Sequence, residues 1–262
     1  MARAWRRTPG SAPATGPDAY VGYYGDEVML CVASVSIGPL QQCFWSLWDR
    51  DEGRVTGHTQ LRPGRPEVAM EGAYVELLAA EARASLVLGP CQPIEAVCPS
   101  GRGWAWTRKR AGVPVAGRIE AFGRVWNLDG LGVDDESAGY QQRHTDWSWS
   151  AGVGIDKGGR ALGWNLVAGI NDPITGSERA VWVDGVPSEP EPVVFDGLDA
   201  VEFADRGRIV FDFCDGAERR RDDNFGLIRS NYIHRFGTFT GSLDGHELTR
   251  AAGVMEHHSA VW

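Results

Sequence analysis

The run His144-Thr145-Asp146-Trp147-Ser148-Trp149-Ser150-Ala151-Gly152-Val153-Gly154 decides the fold class. From Thr145 onward it alternates strictly. Trp147, Trp149, Ala151 and Val153 share one parity; His144, Asp146, Ser148 and Ser150 share the other. A β-strand sends successive side chains to opposite faces, so the run is a strand with one apolar and one polar face. The polar face carries an imidazole and a carboxylate two residues apart, with two hydroxyls beyond. Such a row either faces a ligand inside a barrel or is an ordinary wet strand face, and alternation leaves both open.

Outward from this strand, nearly every segment reads the same way. Val28 to Ile37 is an apolar run ended by Gly38-Pro39, and Gln42 to Trp48 is aromatic and stops at the polar turn from Asp49 to Gly53, so the two form a hairpin. Similar short runs continue to Phe225–Tyr232 and Leu248–His258, with Gly158-Gly159, Asp184-Gly185 and Asp244-Gly245 as hairpin turns. Only Tyr74 to Arg83 hints at a helix, and its pattern fits a strand and turn equally well. Many short strands separated by turn signals predict an all-β antiparallel barrel or sandwich. The acidic stretch Asp134-Asp135-Glu136 reads as a linker between two β halves, 20–133 and 134–262, behind a flexible arm of residues 1–19.

Composition narrows the function classes. A net charge of −9 argues against nucleic acid as the main partner, because phosphate binding needs clustered cations. The dense basic runs beyond the N-terminus are Arg108-Lys109-Arg110 and Arg219-Arg220-Arg221; Asp222-Asp223 follow the second, which reads as a solvated turn. No apolar run reaches the length of a membrane span. Met1 to Pro17 lacks the apolar stretch of a secretory signal. Five cysteines without metal-ligand spacing fit buried thiols and a cytoplasmic setting. Eleven tryptophans suit either the walls of a ligand cavity or simply a large β core. No nucleophile elbow, P-loop or dinucleotide fingerprint is present.

Several phrases together carry a resemblance. They are Tyr140 to Gly154; Trp164-Asn165 through Asp172 to Glu178 and on to Trp182 and Gly185; Trp106 to Lys109 with Pro114 to Gly117; and the closing Gly253 to His258. With them the chain resembles, from Tyr20 to Trp262, a widespread bacterial domain-of-unknown-function family. That family is similar, more distantly, to the hydroxyneurosporene synthase, AttH and kievitone hydratase group of double-lipocalin proteins. The resemblance implies two lipocalin-like antiparallel β-barrels side by side, with a ligand cavity at or between them and no metal or organic cofactor. It further implies kinship to hydratases and cyclases of apolar, unsaturated small molecules. One departure is the lead-in, which is short here and ends in Asp18-Ala19-Tyr20.

Candidate chemistry begins with His144 and Asp146, which share a strand face about 7 Å apart at strand rise. An imidazole held by a carboxylate can transfer protons near neutral pH; the alternative is a hydrogen-bonding cap and a solvated carboxylate. Glu178, if buried beside Trp182, would be a neutral proton donor; a charge pair with Arg179 or Arg108 is the competing reading. Asn165 on a glycine-rich face could orient a ligand carbonyl or hydroxyl. Trp106 with Arg108 could hold a carboxylate or simply stack. Tyr140, Trp147, Trp149 and Trp182 would complete the pocket. A zinc site from Glu256, His257 and His258 would need His144 to join them, and ranks below the metal-free reading. The expected function is therefore a cofactor-independent hydratase or cyclase with His144, Asp146 and Glu178 moving protons, or else a non-catalytic carrier of apolar small molecules.

Overall fold

Turn chemistry punctuates the chain into strands throughout the computed structural model, which describes residues 18–37, 40–61, 66–140, 142–224 and 229–261. The first sheet contains β1 (Asp18–Tyr24), β2 (Val28–Ile37), β3 (Leu40–Asp49), β4 (Arg54–Gln60), β5 (Val68–Glu71), β6 (Tyr74–Leu78), β7 (Ala82–Leu88), β8 (Ile94–Ser100), β9 (Gly103–Ala121) and β10 (Arg124–Gly139). The second contains β11 (His144–Asp156), β12 (Ala161–Ala168), β13 (Ala180–Val183), β14 (Val186–Ser188), β15 (Val193–Asp196), β16 (Ala200–Phe203), β17 (Gly207–Asn224), β18 (Arg229–Leu243) and β19 (His246–Val261). Two-residue loops at Phe122-Gly123, Asp184-Gly185 and Asp244-Gly245 have positive φ at both positions, the geometry that matches a hairpin's twist.

All pairings are antiparallel, and both sheets have the same plan. The order is β4-β3-β2-β1-β10-β9-β7-β6-β5, with β8 also on β9, and then β14-β13-β12-β11-β19-β18-β17-β16-β15. In each, the first strand of the half pairs with its last, so two meanders are joined into one curled half-barrel. Trp45, Leu77 and Ile119 are among the side chains filling the first curl; Trp164, Phe211 and Phe239 are among those filling the second. A third core lies between the sheets, where Met29, Trp48, Ala111, Trp149, Trp182 and Phe236 pack together.

The alternating faces of β11 are accordingly both covered along its second half. Trp149, Ala151 and Val153 enter the core between the sheets, while buried Ser150 accepts a hydrogen bond from Trp164 Nε1 at 3.0 Å on the opposite side. Gly152 stands opposite Gly253, and Gly253 opposite Gly237, a glycine row across three strands. A Cβ on Gly152 would lie 2.3 Å from Trp164 Cζ2 and 2.7 Å from the Ala252 carbonyl oxygen. Gly152→Ala is therefore expected to lower stability by about 1–3 kcal/mol through overpacking, read as a lower urea midpoint at an unchanged slope.

Several sequence expectations are corrected here. Asp134, Asp135 and Glu136 are not a linker but lie inside β10, paired with both β1 and β9. Asp18 and Ala19, assigned to the arm, begin β1. Arg219, Arg220 and Arg221 lie in strand β17, not a turn, because the ladder to β18 continues through Asp222 and Asp223. Tyr74–Arg83, left open between helix and strand with turn, is the latter: β6 and a turn into β7. Cys31, Cys43, Cys91 and Cys98 are free thiols. Residues 1–17, the Gly38-Pro39 turn and residues 225–228 lie outside the described residues. Among the described residues no helix is long and apolar enough to cross a membrane.

Candidate functional site

Register places the site. On the second sheet Trp147, His258 and Tyr232 stand side by side across β11, β19 and β18, and the neighbouring row is Trp149, Glu256 and His234. On the first sheet Tyr20, Asp135 and Lys109 form one row across β1, β10 and β9, and Asp18, Ser137 and Thr107 form the next. The two sheets face one another with these rows opposed: the Tyr20 ring meets Trp149 edge-on at 5.3 Å, and its hydroxyl is 3.3 Å from His234 Nε2. Between them lies a cavity of about 540 Å³.

Glu256 lines this cavity, buried. Trp147 Nε1 donates to its Oε1 at 3.2 Å. Burial pushes its carboxyl up to about 7, although Tyr232, Trp147 and the Arg219 charge favour the ionised form. His258 stands two residues away on the same face, with the Trp147 ring centred 4.3 Å from its own and Ser230 Oγ 2.8 Å from its Nε2. Burial holds this imidazole down to about 4, with His257 and Arg219 adding repulsion. A carboxyl that keeps its proton near neutrality thus adjoins an imidazole that lacks one. His234, behind them, is buried against Tyr20, Tyr232 and Phe236 and lowered to about 3 by burial.

A second charged group forms another part of the wall. Lys109 Nζ is 2.5 Å from Asp135 and 3.5 Å from Glu178, all three lining the cavity. Burial alone would lower the Lys109 ammonium, but the two carboxylates more than offset it and raise it. Glu178 is raised by burial despite Lys109 and despite a 3.1 Å hydrogen bond from Asn171 Nδ2. Asp18 accepts from the Ser36 amide at 2.6 Å, yet burial raises it to about 6.

The residues singled out from sequence divide sharply. Tyr140, Trp147, Trp149 and Glu178 line the cavity. His144 and Asp146 do not: both are exposed on the opposite face of β11, and Asp146 looks toward His257 at 3.8 Å. The partner of Glu178 is Lys109 rather than Arg179 or Arg108. Asn165 is buried just behind the wall, where it accepts from Trp149 Nε1 at 2.9 Å and donates to the Glu178 carbonyl at 2.8 Å, holding two lining residues in place. Trp182 is a core side chain donating to the Gln92 carbonyl at 2.7 Å. Trp106 donates to Glu95 on the surface, and Arg108 pairs with Glu136 at 3.5 Å, both away from the cavity. The tryptophan face is the one turned to the cavity, because those rings supply the apolar area that the space between the sheets removes from water.

Nothing in the sequence singles out Tyr20, Lys109, Tyr232 or His234 as site residues, and Glu256 and His258 stand out there only as candidate metal ligands. Their shared parity on β19 was legible; the first-to-last pairing of β11 with β19 was not. The zinc grouping is not formed, since His144 is at the exposed start of β11 and His257 points away from His258; among the described residues no three His, Cys, Asp or Glu side chains converge as a metal site.

The profile of a family described as a domain of unknown function, DUF2804, matches residues 94–262. No curated protein matches the chain. Among solved structures, it is similar to kievitone hydratase from Nectria haematococca, with 8% identity, a TM-score of 0.58 and coverage of 94% of this chain and 89% of the other. It is also similar to an AttH-type protein of Nitrosomonas europaea, at 12% identity and a TM-score of 0.52 over 97% and 98% of the chains. CghA, determined with Sch210972, matches at 12% identity and a TM-score of 0.52 over 94% and 88%. These likenesses are of fold, that of double lipocalin-like proteins.

Proposed function

We propose, for a chain that belongs to the DUF2804 family, a cofactor-independent acid–base function on an apolar, unsaturated small molecule held between the two sheets: a hydratase or a cyclase. The observation that carries this is the pairing of Glu256 and His258 on one strand face beneath Trp147, inside the cavity. Hydrating an alkene requires a proton donor aimed into a dry, apolar space and a base for the incoming water. Glu256 would deliver its proton to one alkene carbon, using the π electrons to form the new C–H bond. Water would then add to the neighbouring carbon and release a proton to His258. Return of that proton from imidazolium (about 4) to carboxylate (about 7) is downhill, which restores both groups. A cyclisation or isomerisation would use the same pair, with the substrate's own proton taking the place of the one from water.

Kievitone hydratase, similar in fold, bears a name of this reaction class. His144 and Asp146, exposed on the face of β11 turned away from the cavity, have no part in the proposal, and Glu178 serves with Lys109 to shape the polar wall. Carriage without turnover is the second reading, favoured by Trp147 and Trp149, rather than His144 and Asp146, facing inward. Incubating the protein with an extract of apolar metabolites distinguishes the two by mass spectrometry. The proposal expects a retained compound to gain one water, or to keep its mass and change its retention time; retention with neither change would make the protein a carrier.

A further inference from the structure

Among the described residues three cations line the cavity, and two of them are paired. Lys109 is shared between Asp135 and Glu178, and Arg221 is 2.7 Å from Asp223. Arg219 makes no ion pair within 4 Å among the described residues. Its guanidinium donates to Thr59 Oγ1 at 2.6 Å and lies over the rings of Phe44 at 4.3 Å and Tyr232 at 5.0 Å. Those contacts, from β3 and β4 of one sheet and β18 of the other, fix the plane of the fork. A guanidinium has five N–H donors in a rigid array, and one hydrogen bond leaves donors available on the cavity side. Stacking desolvates the faces of the cation while leaving its edge open.

We propose that Arg219 is the recognition point for a carboxylate at the end of an otherwise apolar ligand, so that the cavity selects unsaturated monocarboxylic acids over the corresponding alcohols. The inference rests on reading the cavity as a site for apolar small molecules and adds the class of polar head group. A carboxylate matches the planar fork with two parallel N–H···O bonds, whereas a hydroxyl offers one neutral acceptor. Tyr232, stacked under Arg219, stands beside His258 across β18 and β19, so an anchored head group would leave the ligand's chain against Trp147 and Glu256.

The test compares retinoic acid with retinol, two polyenes that differ at the head group, by quenching of tryptophan fluorescence. The wild-type protein is expected to bind the acid at least about tenfold more tightly, the low end for a hydrogen bond to a charged group. Arg219→Gln should abolish that preference, with the circular dichroism of the fold retained. Equal binding of acid and alcohol by the wild type would overturn the inference and leave the apolar-cavity reading intact; binding of neither would overturn both. A preference that survives in folded Arg219→Gln would also overturn it. Should that variant fail to fold, Arg219→Lys carries the test, because lysine keeps the charge without the planar fork. A reduced preference then supports the assignment, and an unchanged one overturns it.

Discussion

Glu256→Gln is expected to leave the protein folded and to reduce turnover by about 10²–10⁴-fold, the usual contribution of a positioned general acid. Glutamine keeps the volume of the side chain and an oxygen for the Trp147 indole, so the wall of the cavity is preserved while the transferable proton is lost. The pH profile carries the sign of the mechanism. Because Glu256 must hold its proton, turnover in the wild type should fall as pH climbs through about 7; because His258 must be neutral, it should fall again as pH drops toward about 4. His144→Ala, at an exposed position on the face of β11 turned away from the cavity, should leave both rate and profile unchanged. Wild-type turnover in a folded Glu256→Gln variant would remove Glu256 from the reaction.

Trp182→Ala is expected to destabilise the protein by about 3–5 kcal/mol, the range for truncating a fully buried tryptophan. Trp182 is on β13 of the second sheet, completely buried, and its indole crosses to the first half to donate to the Gln92 carbonyl at 2.7 Å. Truncation opens a void in the core that joins the two sheets and leaves that carbonyl without its donor. Trp104, about half exposed and set edge-on to the Tyr140 ring, gives the contrast: Trp104→Ala should stay within about 1 kcal/mol of the wild type, as surface substitutions do. Denaturant unfolding of the two variants measures both. Equal losses would mean that the core between the sheets does not hold the halves together as described.

Local pattern made the strands legible. The alternation of β11, the apolar run of β2 and the Asp-Gly turns at 184–185 and 244–245 all appear in the structure as read. What failed was inference across distance. Asp134–Glu136 looks like a linker by composition, but long strands in curled sheets carry charges wherever their partners do, and Lys109 and Arg110 stand directly opposite Asp135 and Asp134. The same holds for Arg219, whose parity along β17 turns it toward the cavity while Arg220 faces out. His144 and Asp146 stand out in the sequence because they are two residues apart on one strand. The acid–base pair that faces the cavity, Glu256 and His258, has that same spacing on the adjacent strand. Its position beside Trp149 and Trp147 follows from the pairing of β11 with β19, more than a hundred residues away.

A protonated Glu256 carboxyl facing the cavity near neutral pH is visible to a carbon-13 NMR titration of side-chain carboxyls in glutamate-labelled protein. A resonance titrating near 7 that is absent from Glu256→Gln is the expected result. A spectrum in which that variant loses only a resonance titrating in the ordinary glutamate range, near 4.5, would contradict it.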